Sequence, residues 1–197
     1  MKVRMATPED IPLGIAMSRV FYEEWDYEGG LFEPPAAEKF AMEIMESPNG
    51  FCCIAEDDKG AIRGMHLGGI VQHMFGTTGQ AISYIFFVEP SSRGGLAGKK
   101  MVREFEDWAR EKGVIDVLAG IDSGINIDRT KGFYEALGYK TVGYQFKKLL
   151  TNNDEKEKEK EEEKRRRRGG KERTGRRARK RDAAHHPRGE GALPLPA

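Results

Sequence analysis

The 197 residues are 38% hydrophobic and 33% charged with a net charge of +1, which allows one ordinary domain and an appendage. The charge is divided unevenly, because residues 1–150 hold 17 Lys and Arg against 22 Asp and Glu, whereas residues 151–197 hold 16 against 10. No window approaches the roughly 18 apolar residues of a membrane helix. The only two cysteines are adjacent, so no disulfide framework is expected and a cytoplasmic location is favoured.

The first 50 residues predict a short strand and two helices. Lys2–Ala6 has strand character, and Thr7 with Pro8 behind it marks the start of a helix. A loop over Tyr22–Pro35, which mixes aromatic and acidic residues with Gly and Pro, separates this helix from the next. The apolar faces of the two helices carry Leu13, Ala16, Met17, Val20 and Phe21 in the first, and Ala37, Phe40, Ala41, Ile44 and Met45 in the second.

The pattern then changes to short strands joined by turns. Phe51–Ala55, Ile62–Met74 and Ala81–Val88 predict three strands in two antiparallel hairpins. The third of these strands is apolar on both faces, as expected of a central strand that is covered on both sides. Cys52 and Cys53 should point to opposite faces of the first strand, because side chains alternate along a strand.

A strand–helix–strand unit follows. The helix spans Gly98–Lys112, and Val114–Ile121 predicts a strand that runs parallel to the strand ending at Val88. A further helix over Asp128–Leu137 and a last strand over Tyr139–Leu150 complete the elements. The predicted fold class is therefore α+β, a single domain over residues 1–150 whose mixed, mostly antiparallel sheet has one parallel strand pair and flanking helices.

Residues 151–197 form a charged tail with little apolar surface to offset chain entropy, so they are predicted to be disordered. The tail contains two basic runs, Arg165–Arg168 and Arg176–Arg181. These runs leave open the binding of nucleic-acid phosphates through the tail, although no aromatic residues interleave to stack on bases.

The segment most indicative of function joins the central strand to the helix that follows it. Glu89–Gly95 is a loop of small residues that opens a helix N-terminus, where free amides and the helix dipole favour an anion. A pyrophosphate would fit there, and a plain tight turn is the alternative. A Walker A loop is excluded because Arg93 and Lys100 stand where it needs a glycine and a Ser or Thr. A dinucleotide fingerprint is excluded by the spacing of Gly94, Gly95 and Gly98.

Two motifs in this order resemble the GNAT superfamily of acetyl-CoA-dependent N-acetyltransferases. Residues 93–98, Arg-Gly-Gly-Leu-Ala-Gly, are similar to the family's acetyl-CoA signature [Q/R]-x-x-G-x-[G/A] after a strand that ends Val-x-Pro. Leu96 departs from this signature, because it occupies the usual first-glycine position. Residues 132–139, Gly-Phe-Tyr-Glu-Ala-Leu-Gly-Tyr, resemble the F-Y-x-x-x-G-[F/Y] segment near the end of the domain.

The resemblance implies an acetyl-CoA site and a direct transfer of the acetyl group to a primary amine. It implies that the end of the strand at Val88 meets pantetheine and that the pyrophosphate lies among residues Arg93, Gly94, Gly95, Gly98 and Lys99. It makes Tyr134 the general acid, since a phenol with a pKa near ~10 stays protonated and can donate to a departing thiolate. The family often has an Asn seven residues before this Tyr, but here that position is Ile127.

The acceptor is not specified by the sequence and could be a small molecule or a protein. Glu24 and Trp25 lie where the family commonly builds part of the acceptor site, and acids mixed with aromatic residues can hold an ammonium group. Glu24, Asp26 and Glu89 are candidates for the general base, each with a solvated surface acid as the alternative. No metal site is expected, because His66 and His73 lack ligand-like neighbours. The competing function is a non-catalytic CoA-binding or interaction domain.

Overall fold

The structure, a computed structural model, describes residues 1–25 and 30–148. The chain divides into two compact units, Met1–Gln145 and Phe146–Ala197, and every helix and strand given below belongs to the first. The tail predicted to be disordered and Asp26, one of the candidate bases, lie outside the described residues. No helix of the described ranges is long and apolar enough to cross a membrane.

The described residues form a single five-stranded sheet at the centre of the unit, and its strands lie side by side in chain order. The first four strands pair antiparallel, and the fourth and fifth run parallel. The strands are β1 Lys2–Met5, β2 Gly50–Glu56, β3 Ile62–Gln72, β4 Gly79–Val88 and β5 Val117–Ala119. The predicted α+β class with one parallel strand pair is therefore confirmed.

In the part of the chain that the structure describes, four helices cover the two faces of this sheet. They are α1 Ile11–Trp25, α2 Pro34–Glu46, α3 Leu96–Glu111 and α4 Ile127–Ala136, and short 3-10 turns span Pro8–Asp10 and Pro90–Ser92. On one face Met101 and Phe105 of α3 pack against Phe51 of β2. On the other face side chains of α1 and α2 pack against a second cluster, which comprises Cys52, Ile54, Met65, Leu67 and Phe87.

Cys52 and Cys53 confirm the alternation predicted for β2, because they belong to the clusters on opposite faces of the sheet. Both are free and buried. Burial raises the pKa of the Cys52 thiol to about 11 and also raises that of Cys53, so both thiols remain protonated near neutral pH.

The β4 strand departs from regular pairing at the middle of its length. Its register against β3 shifts between Leu67 and Gly68, so that Tyr84 is left without a partner opposite it. On its other side β4 pairs with β5 only through Ala81, Ile82 and Ser83. The C-terminal half of β4, Tyr84–Val88, consequently has no strand beside it on that edge within the described residues.

Three predicted boundaries were wrong. Tyr22–Trp25 continue α1 instead of opening a loop, because the rings of Phe21 and Trp25 stack one helical turn apart. β5 is shorter than Val114–Ile121, since the Val114 amide still bonds to the Ala109 carbonyl at the end of α3. The described residues 139–148 form no strand, and their apolar side chains Val142 and Tyr144 are exposed.

Candidate active site

A cavity of about 560 Å³ brings together all nine residues that the sequence predicted for the cofactor, the chemistry and the acceptor. Its walls come from α1, the second half of β4, the loop before α3, the residues after β5, and α4. The nine are Glu24, Trp25, Val88, Arg93, Gly94, Gly95, Gly98, Lys99 and Tyr134. Residues separated by more than 100 positions in the sequence thus line one space.

The loop before α3 shapes the polar end of this cavity. Gly94 has a φ of +85°, a left-handed conformation that favours glycine. Gly95 is the N-cap of α3 and supplies no side-chain cap, so the amides of the first turn keep their hydrogen-bonding capacity for a ligand. An anion placed there would meet backbone amides and the positive end of the helix dipole.

Gly98 allows α3 to approach both β4 and α4. A Cβ built on Gly98 would lie 3.2 Å from the ring of Phe86, and 3.5 Å from both Phe133 and Val88. The rings of Phe86 and Phe133 stack with centroids 5.8 Å apart. The absence of a side chain at Gly98 therefore lets α3, which follows this loop, pack directly against β4 and α4, which line the cavity.

Leu96, the departure from the family signature, does not fill the cavity. It is the first residue of α3, is exposed, and does not contribute to the cavity wall. The substitution removes the freedom of a glycine at this position but places no side chain in the way of a ligand.

The guanidinium of Arg93 is directed away from the loop's amides. Its Nε donates a hydrogen bond of 2.8 Å to the carbonyl oxygen of Val88. Its Nη2 donates to the carboxylate of Glu24 on α1, and the group lies 5.4 Å from the centroid of the Phe87 ring. Arg93 thus ties the loop to the end of β4 and to α1.

Glu24 and Trp25 border the same cavity from the last turn of α1. The carboxylate of Glu24 is neutralised by Arg93, whereas Trp25 stacks on Phe21 at 5.6 Å between centroids. Glu89, another candidate base, pairs with Arg63 at 2.7 Å and does not line the cavity. Neither acid is an unengaged proton acceptor.

Tyr134 lies on α4 with only 7% of its surface exposed. Its ring contacts Phe86, Phe133 and Tyr139. Burial raises the pKa of its phenol, so the hydroxyl carries its proton at neutral pH. The Tyr134 hydroxyl forms no hydrogen bond with a described residue. Among the described residues every fully buried side-chain oxygen or nitrogen has a hydrogen-bond partner, so this oxygen is not fully buried. Because Tyr134 lines the cavity, the oxygen is open to the cavity.

Asp122 is a cavity residue that sequence reasoning missed. Three carboxylates in the described residues line the cavity, and Asp10 and Glu24 are each paired with an arginine. Asp122, three residues after β5, forms no ion pair with a described residue. A Cβ on Gly120 would lie 2.6 Å from its Oδ1, so the glycine makes room for the carboxylate. The available signal was an acid directly after the predicted strand Val114–Ile121.

Arg129 on α4 was also missed. It lines the cavity, is exposed, and has no salt bridge with any residue in the described ranges. A Cβ on Gly94 would lie 3.3 Å from its Nη2, which places the guanidinium beside the loop before α3. The sequence offers one hint: Arg129 lacks an acid at the next helical turn, where Phe133 stands.

His66 and His73 each have a structural role, one in the core and the other in a turn. His66 is 1% exposed in the core, and its pKa is lowered to about 4 because burial disfavours the imidazolium. Nδ1 of His73 accepts a hydrogen bond of 3.3 Å from the Phe75 amide. Among the residues that the structure describes, no three His, Cys, Asp or Glu side chains are grouped so as to hold a metal ion.

Comparison with known proteins assigns the fold and motifs to a family. The model of the acetyltransferase (GNAT) family matches residues 17–139, which is more than half of the chain and includes the loop before α3 and Tyr134. The chain belongs to the GNAT acetyltransferase family. No curated protein sequence matches it significantly.

Many solved structures share its fold. Glucosamine-6-phosphate N-acetyltransferase from Arabidopsis thaliana superposes with a TM-score of 0.61 at 19% identity, over 76% of this chain and 98% of that one. An aminoglycoside acetyltransferase from an uncultured soil metagenomic sample gives 0.61 at 18%, over 76% and 96%. A predicted acetyltransferase from Clostridium acetobutylicum, whose structure contains acetyl-CoA, gives 0.62 at 15%, over 76% and 96%. Identities this low show a common fold.

Proposed function

We propose that this protein is an N-acetyltransferase that moves the acetyl group of acetyl-CoA directly to a primary amine. The family supports acetyl transfer in general terms. The observation that carries the more specific proposal is the single cavity, where a glycine loop, a helix N-terminus and a buried, protonated tyrosine meet.

Acetyl-CoA would lie along the free edge of β4. The residues present fit it, because no strand among the described residues lies beside the Tyr84–Val88 backbone on that edge, and this backbone can pair with the amides of pantetheine. Gly94 and Gly95 leave the loop backbone accessible to the diphosphate, Gly98 lets the first turn of α3 lie close to the cavity wall, and Lys99 adds a positive charge there. The proposed domain that carries this site spans residues 1–150.

The thioester of acetyl-CoA supplies an activated acetyl group. When a neutral amine attacks its carbonyl carbon, an N–C bond forms, the C–S bond breaks, and the sulfur leaves with the electron pair. Tyr134 donates the phenolic proton to this sulfur as general acid, which its raised pKa permits because the phenol is still protonated at neutral pH. The acylated nitrogen, which is positively charged after the attack, releases one proton to solvent at the mouth of the cavity, and solvent returns a proton to Tyr134.

The acceptor amine would enter between α1 and the residues after β5. Trp25 presents an aromatic face at one wall, and Asp122 presents a carboxylate that no described cation neutralises. Asp122 attracts the ammonium form of the acceptor and takes up the proton that must leave before the nitrogen attacks. Glu24, in the last turn of α1, does not act on the amine directly; it holds the Arg93 side chain in place through their ion pair.

Calorimetric titration of the full chain with acetyl-CoA tests the cofactor site. We expect micromolar binding that Lys99→Glu weakens at least ~10-fold, because the new carboxylate repels the diphosphate. Arg103→Glu is the matched control: it makes the same charge change one turn further along α3, at an exposed residue outside the cavity wall. The proposal fails if the wild-type chain does not bind.

Turnover separates the enzyme from a CoA-binding domain without activity. Free thiol released from acetyl-CoA is measured with a panel of primary amines, namely 2-phenylethylamine, spermidine, glucosamine 6-phosphate and a lysine-containing peptide. Amine-dependent thiol release supports the transferase. Tight binding of acetyl-CoA without release in any reaction favours the non-catalytic CoA-binding domain.

A further inference from the structure

We infer that Arg129 of α4 is the side chain that binds the diphosphate of CoA, and that Arg93, the arginine of the signature, instead braces the loop. This inference rests on the proposed function, because it concerns the same acetyl-CoA site. The acetyl-CoA signature alone would assign the diphosphate to Arg93, and it does not include Arg129.

The first step is that Arg93 is already occupied. Its Nε donates to the Val88 carbonyl, its Nη2 donates to the Glu24 carboxylate, and its Cζ lies over the Phe87 ring, 5.4 Å from the centroid. Only 22% of its side chain is exposed. Turning the guanidinium towards a diphosphate would break both hydrogen bonds and leave Glu24 unpaired in a partly buried position.

The second step is that Arg129 has the opposite surroundings. Its guanidinium lines the cavity and makes no ion pair or hydrogen bond with a described residue. The neighbouring cation on α4, Lys131, shows the contrast, because it pairs at 2.5 Å with Glu135 one turn further along. The equivalent position after Arg129 is Phe133, which cannot accept its charge.

The Arg129 guanidinium extends to the loop before α3. Nη2 lies 3.3 Å from the point where Gly94 would carry a Cβ. Gly94 has a φ of +85° and precedes the N-cap of α3, and as a glycine it places no side chain between the loop backbone and this guanidinium. An anion at the first turn of α3 would therefore have backbone amides on one side and the Arg129 fork on the other.

Charge and geometry together favour a diphosphate as the ligand of this arginine. Lys99 lines the same cavity without an ion pair to a described acid, so two cations from two helices border the loop. Guanidinium donates two parallel hydrogen bonds to phosphate oxygens, whereas an ammonium acts as a point charge. We assign the fork to the diphosphate because it lies beside Gly94 of the glycine loop, whose backbone amides are accessible to an anion.

Calorimetry of the full chain with CoA and with dephospho-CoA, which lacks the 3′-phosphate, tests this assignment. We expect Arg129→Gln to weaken the binding of both ligands by about tenfold, as loss of a charged hydrogen-bond donor predicts. Arg129→Lys restores part of the affinity, because it retains the charge without the fork. Lys131→Gln is the control: it removes one charge from the same helix at a residue outside the cavity wall and leaves both affinities unchanged.

The outcomes separate the two claims. Wild-type protein that binds neither ligand overturns the proposed function and this inference with it. Wild-type and Arg129→Gln proteins that bind CoA equally well overturn the inference alone. A loss confined to CoA, with dephospho-CoA unaffected, places Arg129 on the 3′-phosphate and overturns the diphosphate assignment. Because Arg129 is exposed and unpaired among the described residues, the variant should melt at the wild-type temperature, which is checked alongside.

Discussion

The Nε2 atom of His66 lies 2.9 Å from the Oγ of Ser83, and this contact connects the buried interior of the sheet to the wall of the cavity. Nδ1 of the same ring lies 3.4 Å from the carbonyl oxygen of Met101. A carbonyl only accepts, so the contact favours the tautomer with its proton on Nδ1, and Nε2 then accepts from the serine hydroxyl. Ser83 is also the last β4 residue that pairs with β5.

This buried ring makes stability depend on pH. The pKa of His66 is lowered to about 4 by burial, whereas an unfolded histidine titrates near ~6.5. The stabilisation is complete above the unfolded pKa and is lost as the pH falls towards 4, because only the unfolded chain binds the proton. We expect the free energy of unfolding to drop by about 2 kcal/mol between pH 7 and pH 5, measured by urea denaturation.

His66→Gln isolates this effect, since an amide can still bond to Ser83 but does not titrate. The difference in unfolding free energy between wild type and variant should shrink as the pH falls from 7 to 5. Equal pH dependence in the two proteins would show that the histidine is not the titrating group.

Tyr134→Phe should lower the rate of acetyl transfer by ~100-fold, because it removes the proposed proton donor. The affinity for acetyl-CoA should stay within about twofold, as the ring and its packing on Phe86 are retained. Tyr139→Phe is the control: it removes the hydroxyl of the adjacent tyrosine, whose ring lies 5.1 Å from that of Tyr134. Equal activities of the two variants would argue against Tyr134 as the acid.

Arg93→Lys should destabilise the fold by about 1 kcal/mol, because an ammonium cannot bond at once to the Val88 carbonyl and the Glu24 carboxylate. The magnitude is modest since the pair is partly exposed and screened by solvent. Glu24→Gln and the double variant complete a thermodynamic cycle measured by denaturant unfolding. Additive losses would contradict a direct coupling between the two residues.

Gly94→Ala should cost about 1 kcal/mol, because the new side chain would be strained at a φ of +85°. It should also weaken acetyl-CoA binding, since the methyl group would lie 3.3 Å from Arg129. Gly132→Ala is the matched control within α4, where no atom lies within 4 Å, and it should stabilise the protein by up to about 1 kcal/mol. Thermal melting and calorimetry measure the two properties, and equal melting temperatures for the two variants would refute the expectation.

Asp122→Asn should raise the KM for the amine and shift the activity profile to higher pH, because the acceptor loses the carboxylate that takes its proton. The binding of acetyl-CoA should be unchanged. Asp116→Asn, which alters a carboxylate before β5 and outside the cavity wall, is the control. An unaltered pH profile for Asp122→Asn would remove this residue from the mechanism.

Periodicity and turn residues predicted most of the fold. The apolar run of β4 and the helical stripe of α3 come from local patterns that the packing reinforces. The Tyr22–Trp25 segment was assigned wrongly because its acids suggested a loop, while contacts between rings one turn apart extended the helix. The predicted final strand over Tyr139–Leu150 has β-type residues, but a strand needs a partner, and described residues 139–148 form none.

The candidate site was predictable where a motif occupies consecutive residues. The loop from Arg93 to Lys99 and the segment around Tyr134 belong to that class, and the structure brings them to one cavity. The direction of the Arg93 guanidinium depends on Glu24, 69 residues earlier in the chain. Asp122 follows β5 and Arg129 lies on α4, so their positions in the cavity wall depend on how these segments pack against the loop before α3 and the end of β4. Such long-range pairings leave no periodic signal.

The packing at Gly98 has a consequence for the order in which the two substrates bind. Phe133 precedes the proposed acid Tyr134 on α4, the helix that also carries Arg129. Its ring would lie 3.5 Å from a Cβ built on Gly98. A ligand that fixes the loop and Arg129 thereby fixes the position of Tyr134. We therefore expect a compulsory sequence in which acetyl-CoA adds first, and product inhibition by CoA that is competitive with acetyl-CoA and not with the amine.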